Sequence, residues 1–288
     1  MTIAQQIKKP FELTCGKFLL RLSERTHLMG VLNRTPDSFS DGGCFMDLDR
    51  ACGHARKMVR EGADIIDIGG ESTRPGSRSV EVSEELKRTI PVIRKVSKDL
   101  GVPISIDTSK SEVAEEAMLA GASIVNDITG FKLDPGVAGV IAKHGACVSV
   151  MHMKGSPGNM QDNPVYADLM AEIVDSLAES VRFALEAGIA PDKIIVDPGI
   201  GFGKTLEHNL TIIKELAALK VLEKPILIGI SRKSFIGKLL DRDTEDRLMG
   251  TAASSVLAIT RGANIMRVHD VRETSDAVRM AEAIIKRG

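Results

Sequence analysis

Short apolar or β-branched segments recur along the chain and alternate with segments of helical periodicity. The apolar segments are mostly continuous rather than alternating, which is typical of parallel strands covered on both faces. They are HLMGVLN (27–33), DIIDIGG (64–70), PISIDT (103–108), SIVNDI (123–128), CVSVMHM (147–153), KIIVDPG (193–199), PILIGIS (225–231) and NIMRVHD (264–270).

Helical patterns fill most of the intervals between these strands. The predicted helices are Leu48–Glu61, one capped by Ser83, one from Ser111 to a stop at Gly121, Val165–Ala187, Leu206–Lys220, Thr244–Thr260 and Val271–Lys286. About eight strand–helix units in a chain of this length favour the α/β class and a closed (β/α)8 TIM barrel, with an open doubly wound sheet as the alternative.

The segment before the first barrel strand has a different pattern. FELTCGKFLLRL (11–22) places a Gly-Lys turn between two apolar runs, which predicts an N-terminal β-hairpin that covers the barrel floor. No linker, low-complexity tract or internal repeat interrupts the 288 residues, so a single domain, 1–288, is predicted.

Composition narrows the function classes. A net charge of −1, with 27% charged residues of both signs, gives no indication of a nucleic-acid partner. No apolar run approaches the roughly 20 residues that span a bilayer, and the first residues lack the apolar core of a signal peptide. The cysteines show no zinc-binding spacing and are expected to be reduced thiols in the cytoplasm; they are Cys15, Cys44, Cys52 and Cys147.

The sequence DPGIGFGKT (197–205) resembles a phosphate-binding loop but matches neither common pattern. A Walker A loop has a glycine where this chain has Pro198, and a dinucleotide-binding loop has its third glycine where this chain has Lys204. The glycines instead predict a loop whose backbone approaches a ligand closely, with Phe202 against a flat ring.

Polar residues follow the predicted strands, and in a barrel the carboxyl ends of the strands meet at the active-site rim. Asn33, Arg74, Arg267 and His269 suit an anionic ligand, because arginine matches phosphate oxygens with paired hydrogen bonds. The Asn33 oxygen suits a hydrated Mg²⁺ carried in by phosphates. A surface ion pair is the alternative for Arg74, and a buried hydrogen-bond network is the alternative for His269.

A second group of rim residues suits the edge of a polar heterocycle. Asp107, Asn126 and Asp197 combine hydrogen-bond acceptors and donors, although metal ligation or helix capping by the two carboxylates stays open. Two close carboxylates repel each other and require a cationic partner, for which Lys233 is the candidate.

Several longer motifs occur in order along nearly the whole chain. They are MGVLNRTPDSFSDGG (29–43), DIIDIGGESTRPGS (64–77), SIDTSK (105–110), NDITG (126–130), MHMKG (151–155), DPGIGFGKT (197–205), GISRKSFIG (229–237) and RVHDV (267–271). Together they closely resemble the dihydropteroate synthase family. One departure is Arg34, which stands where the family's first loop usually has a small apolar residue. It leaves Asn33 in place, and its effect on loop closure and on the charge near the pyrophosphate stays open.

The resemblance implies a transferase of folate biosynthesis. Its reaction joins 7,8-dihydropterin-6-ylmethyl pyrophosphate to p-aminobenzoate through a C–N bond, giving 7,8-dihydropteroate and pyrophosphate. The resemblance also implies Mg²⁺ as cofactor, a homodimer, and departure of pyrophosphate before the amine attacks. In this family sulfonamides occupy the p-aminobenzoate site.

The resemblance further implies the role of each site residue. Pterin would be bound by Asp107, Asn126, Met151, Asp197, Phe202, Gly229 and Lys233. Pyrophosphate would be bound by Asn33, Arg74, Arg267 and His269, with Asn33 acting through the metal. The p-aminobenzoate site would be bordered by Phe39, Thr73, Pro75, Arg232 and Ser234. The candidate catalytic residues are Asn33, Arg74, Asp107, Lys233, Arg267 and His269.

Other functions stay open at this stage. A corrinoid-linked, pterin-dependent methyltransferase shares the barrel and the pterin carboxylates but has less need of the pyrophosphate residues. A Schiff-base aldolase would use Lys233, and a non-catalytic carrier would bind pterin without releasing pyrophosphate.

Overall fold

A hairpin precedes the barrel, as the sequence predicted. The computed structural model describes residues 11–34, 44–72, 76–77, 79–156 and 158–285, except for the side chains of 44–47. Strands β1 (Glu12–Cys15) and β2 (Phe18–Arg21) pair in antiparallel fashion, with Cys15 opposite Phe18. Gly16, between them, has φ +59°, a conformation that glycine adopts without strain.

Eight further strands form one parallel sheet in the order β8-β7-β6-β5-β4-β3-β10-β9. A parallel bridge between Val196 and Ile226 joins the two ends of this order, so the sheet closes into the predicted (β/α)8 barrel rather than an open sheet. The strands are β3 (His27–Asn33), β4 (Ile65–Gly69), β5 (Ile104–Asp107), β6 (Ile124–Asp127), β7 (Cys147–Met151), β8 (Ile194–Asp197), β9 (Leu227–Ile228) and β10 (Ile265–Val268).

Helices connect successive strands and cover the outside of the barrel. They are α1 (Cys44–Arg60), α2 (Val82–Asp99), α3 (Ser111–Ala120), α4 (Gly136–His144), α5 (Leu169–Glu186), α6 (Leu206–Glu215), α7 (Ser234–Leu240), α8 (Leu248–Thr260) and α9 (Val271–Ile285). In the part of the chain that the structure describes, no helix is long and apolar enough to cross a membrane. The cytoplasmic location stays a prediction.

The sequence did not predict α4 and α7. Both are short and carry internal glycine, which lowers intrinsic helix propensity. Tertiary burial stabilises them instead: Val137 and Ile141 of α4, and Phe235 and Ile236 of α7, are buried.

Some helix ends also differ from the prediction. Helix α2 begins at Val82 and has no side-chain cap, so Ser83 does not cap it. Helix α5 begins at Leu169, where the side chain of Asp168 accepts a hydrogen bond from the Ala171 amide, satisfying a backbone group that would otherwise lack a partner. The predicted helices 206–220 and 244–260 each contain a stretch of tighter 3₁₀ geometry, at Leu216–Leu222 and Thr244–Asp246.

Side chains along each barrel strand point alternately outward and inward, and the two sets belong to separate apolar cores. Outward side chains such as Ile66 and Ile106 pack against the helices. Inward side chains at the amino ends of the strands, such as Ile65 and Ile195, pack against Leu13 of the hairpin. Because the hairpin fills the floor with apolar side chains, the inward polar residues near the carboxyl ends face the opposite mouth of the barrel.

Candidate functional site

Strand register brings the predicted polar residues together at the carboxyl ends of the strands. Asp107 ends β5 and lies beside Asn126 of β6. Asp197 ends β8 and lies beside Met151, which ends β7. Residues that are distant in sequence therefore become neighbours on one rim.

One pocket at this rim contains most of the predicted pterin and pyrophosphate residues. Ile128, Ile200 and Ser231 also contribute to its wall. The predicted residues that line it are Asn126, Met151, Asp197, Phe202, Gly229, Lys233, Arg267 and His269.

Arg267 joins two buried carboxylates inside the barrel. Its Nε donates to Oδ2 of Asp67 at 2.7 Å, and its Nη2 donates to Oδ2 of Asp107 at 2.6 Å. Asn126 Nδ2 donates to the same Asp67 oxygen at 3.3 Å. Because a buried carboxylate needs a cation or hydrogen-bond donors, this network holds Asp107 in place. The cation that is hydrogen-bonded to Asp107 is thus Arg267. Lys233, the cation predicted from the sequence, attracts Asp197 and Asp107 through its charge.

The carboxyl groups of Asp107 and Asp197 titrate near neutrality. Burial raises the pKa of Asp107 to about 7; Arg267 opposes the shift, and Asp67 adds to it. Burial also raises the pKa of Asp197 to about 6, against the Gly199 amide, which donates to its Oδ1 at 2.7 Å. A ligand that donates hydrogen bonds or carries positive charge would therefore complete their ionisation.

Lys233 and Phe202 form the aromatic side of the pocket. The Lys233 Nζ lies 4.1 Å from the centroid of the Phe202 ring, within cation–π range. Burial, with Arg267 second, lowers the pKa of Lys233 to about 8. Phe202 also packs with Ile128 and Met151, so an apolar wall and an ammonium group flank the same space.

His269 lies beside Arg267 but is a neutral imidazole in this arrangement. Burial, followed by the charge of Arg267, lowers the pKa of His269 to about 3. Its Nδ1 lies 3.1 Å from Oγ of Ser231. On this side of the pocket the positive charge comes from Arg267, and His269 contributes hydrogen bonding.

Arg232 and Ser234 lie at the rim, on the segment that leads into α7. The Arg232 guanidinium donates to both carboxylate oxygens of Asp270, at 2.9 and 2.6 Å, and to Glu245 at 2.9 Å. Ser234 is the exposed first residue of α7. Ion pairs thus hold Arg232 in a defined orientation at the mouth.

The remaining predicted residues belong to the loops after β3 and β4. Asn33 ends β3 and is half-buried. The neighbouring Arg34 donates from its Nε to the Arg88 carbonyl of α2 at 3.3 Å. Four predicted residues lie outside the described residues: Phe39, Thr73, Arg74 and Pro75.

The glycine loop, residues 198–205, packs directly on the segment that follows β7. A Cβ on Gly199 would lie 2.0 Å from the His152 carbonyl oxygen, and one on Gly203 would lie 2.4 Å from that of Lys154. Only glycine permits this approach, which seats Phe202 in the pocket. The close approach seen here is to the segment after β7. The predicted close approach of this loop to a ligand stays a prediction.

Sequence reasoning missed Asp67 and the role of Lys204. An aspartate in the middle of the apolar strand DIIDIGG was the available indication of a polar group inside the barrel. Nothing local indicated that Lys204 would be buried with its ammonium group against His152, at 2.9 Å from Nδ1.

Residues 29–269 match the model of the family described as pterin binding enzyme. A dihydropteroate synthase of Synechocystis sp. is 48% identical, and the match covers 96% of each chain.

Solved structures agree in fold. The Yersinia pestis dihydropteroate synthase in complex with a sulfonamide drug has a TM-score of 0.91 and 46% identity, covering 96% of this chain and 100% of that chain. The Xanthomonas albilineans dihydropteroate synthase with 4-aminobenzoic acid has a TM-score of 0.90 and 41% identity, covering 96% of this chain and 99% of that one.

Proposed function

The chain belongs to the dihydropteroate synthase family of pterin binding enzymes, and we propose that its pocket performs that reaction as follows. It condenses 7,8-dihydropterin-6-ylmethyl pyrophosphate with p-aminobenzoate to give 7,8-dihydropteroate and pyrophosphate. The observation that carries this proposal is the convergence of Asn126, Asp197 and Lys233 beside Arg267 and His269 in one pocket.

The pterin ring occupies the part of the pocket walled by Phe202 and Met151. Asp197 accepts hydrogen bonds from the amino-pyrimidine edge, and Asn126 and Lys233 bond the remaining ring heteroatoms. Asp107 is held by Arg267, which lines this pocket. Because Asp107 and Asp197 titrate near neutrality in the free protein, binding of the donor-rich ring favours their ionised forms.

The diphosphate lies toward Arg267, His269 and Asn33. Arg267 uses Nε and Nη2 for Asp67 and Asp107, which leaves Nη1 to donate to a phosphate oxygen. His269, neutral before binding, donates a hydrogen bond and gains basicity beside the anion.

Mg²⁺ fits this donor set as a phosphate-borne ion. No cluster of three or more His, Cys, Asp or Glu side chains that could hold a metal occurs among the described residues. Asn33 would supply one amide oxygen, and phosphates and water the rest, which is a common magnesium arrangement. When bound, the ion offsets negative charge on the leaving group. Chelation with EDTA should slow turnover, and added Mg²⁺ should restore it.

Bond breaking precedes attack by the amine. Arg267 and His269 stabilise charge growing on the pyrophosphate, while Asp107 and Asp197 stabilise the pterin cation. The aromatic amine of p-aminobenzoate is neutral at about pH 7 and needs no strong general base. It enters at the rim near Arg232 and Ser234. The complexes of two relatives with 4-aminobenzoic acid and with a sulfonamide drug support p-aminobenzoate as the substrate that supplies the amine.

A pyrophosphate-release assay with both substrates tests the proposal. Release should require p-aminobenzoate and should fall sharply in Asp197→Ala. Pterin binding without release would indicate a carrier, methyl transfer to a corrinoid would indicate the methyltransferase, and borohydride trapping at Lys233 would indicate the aldolase. Each of these results contradicts the synthase assignment.

The chain forms one domain and assembles as a homodimer through the apolar helix α8, which contains the segment 251–259. Large apolar side chains are exposed on this helix: Met249 is 78% exposed and Leu257 57%. Met249→Asp should give a monomer in sedimentation analysis, whereas Met280→Asp, an exposed position on α9, should leave the dimer intact.

A further inference from the structure

Successive carbonyl groups of the glycine loop are each held by a side chain. Gln161 Nε2 donates to the Gly201 oxygen at 2.7 Å. Lys204 Nζ donates to the Phe202 oxygen at 2.9 Å, and the Tyr166 hydroxyl donates to the Gly203 oxygen at 2.7 Å. Gln161 and Tyr166 belong to the long segment between β7 and α5. This segment therefore holds the glycine loop through side chains that do not line the pocket.

Lys204 uses its whole hydrogen-bonding capacity for this purpose. It is 3% exposed, and Nζ contacts the Phe202 oxygen, His152 Nδ1 at 2.9 Å and the His152 oxygen at 3.3 Å. In the ammonium form Nζ has three hydrogens, and each has an acceptor when His152 carries its proton on Nε2. Burial lowers the pKa of Lys204 to about 7, against the favourable charge of Asp197. The side chain joins the loop to the end of β7 and does not line the pocket.

Tyr166 fixes the next carbonyl, that of Gly203. Its ring makes an edge contact with His208 at 5.0 Å between centroids, and Lys154 Nζ lies 4.1 Å from its centroid. These contacts set the direction of the hydroxyl. Tyr166 is also the single tyrosine of the chain.

The glycine loop held by these hydrogen bonds contains Phe202, which forms part of the pocket wall. Phe202 lies between the two held glycines, packs against Met151 and supports the Lys233 ammonium group at 4.1 Å. Met160, from the same outer segment as Tyr166, packs in this cluster. A displacement of the Phe202 carbonyl therefore moves the ring that faces the ligand.

We propose that Lys204 and Tyr166 are positioning residues for the pterin pocket, acting through the Phe202 and Gly203 carbonyl oxygens on the placement of the Phe202 ring. The inference rests on the proposed function, because it assigns pterin as the ligand whose binding depends on this placement. Neither side chain lines the pocket.

Two variants separate positioning from a purely structural role. Tyr166→Phe removes one hydroxyl and keeps the ring, and Lys204→Met removes the ammonium group and keeps the chain length. Lys238→Met, on the exposed face of α7, is the matched control. Each protein is examined for the Kd of pterin-6-carboxylate by calorimetry, for KM of both substrates, and for Tm.

Displaced binding groups weaken recognition steeply, so the Kd for the pterin and its KM should rise by about 10-fold in both variants. The KM for p-aminobenzoate should stay within about twofold of wild type in both variants. In Lys238→Met, the pterin Kd and both KM values should also stay within about twofold of wild type. A lower Tm with an unchanged pterin Kd would mean that the bonds only stabilise the fold, and would overturn the proposal. If Lys204→Met does not fold, Gln161→Ala and Tyr166→Phe decide the outcome, and an unchanged pterin Kd in both overturns it.

A spectroscopic measurement on the intact enzyme tests the coupling directly. Incorporation of 3-fluorotyrosine gives one ¹⁹F resonance, because the chain has one tyrosine. Addition of the pterin should shift this resonance in wild type, and Lys204→Met should broaden it before addition. An unshifted resonance while calorimetry records binding would contradict the coupling. Failure of wild type to bind the pterin at all would instead contradict the proposed function.

Discussion

The buried carboxylate of Asp197 should cost stability in the free enzyme, and Asp197→Asn tests this. Burial raises its pKa to about 6, whereas an aspartate in an unfolded chain has a pKa of about 3.9. A difference of about two pKa units corresponds to about 3 kcal/mol at neutral pH. The asparagine oxygen can still accept the Gly199 hydrogen bond, which is weaker for a neutral acceptor, so a net gain of about 2 kcal/mol is expected.

The sign follows from proton binding. The folded wild type holds this proton at a pH where the unfolded chain has lost it, so wild-type stability present in acid is lost as pH rises through about 6. The asparagine variant lacks this loss. Its stability advantage should therefore grow by about 2 kcal/mol between about pH 4.5 and about pH 8.

Urea unfolding followed by circular dichroism at these two pH values measures the difference. Asp134→Asn is a control of opposite sign: burial is outweighed by hydrogen bonds from the Ser111 hydroxyl and from the Ser111 and Gly136 amides, which lower the Asp134 pKa. Because this carboxyl is ionised at both pH values, the control variant should lose stability by a similar amount at each. Asp197→Asn should also bind pterin more weakly. A stability difference for Asp197→Asn that is the same at both pH values would refute the reasoning.

Three further predictions concern the pocket and the floor. Lys233→Met should weaken pterin affinity about 10-fold or more, whereas Lys238→Met should leave it unchanged. Wild-type affinity for the pterin should fall as pH rises through about 8, because the Lys233 ammonium group then loses its proton. A calorimetric affinity that does not change with pH would contradict this. Asp67→Asn removes a charge that raises the Asp107 pKa, so the acidic limb of the pH–rate profile should move to lower pH, and an unmoved limb would exclude the coupling. Leu13→Ala should lower the free energy of unfolding by about 2–5 kcal/mol without changing kcat or KM, and altered kinetics would show that the floor communicates with the mouth.

The sequence alone determined the barrel, the hairpin and the rim. Continuous apolar strands alternating with helical periodicity are local properties, and a closed parallel barrel brings all strand ends to one mouth. Asp107, Asn126 and Asp197 were identified from their places at strand ends, and register then made them neighbours. The family motifs pointed to the same residues.

The pairing of charges was decided only by the tertiary structure. Asp67 looks like an anomaly in an apolar strand until the barrel closes and places Arg267, distant in sequence, 2.7 Å from it. The local sequence places Lys204 in a loop, where a lysine is usually exposed. It is buried because this loop packs on the segment after β7. Helices α4 and α7 form because their apolar faces are buried, although their glycines disfavour a helix. Hydrophobic periodicity is a property of neighbouring residues in the sequence. Desolvation and ion pairing depend instead on which distant side chains the fold buries together.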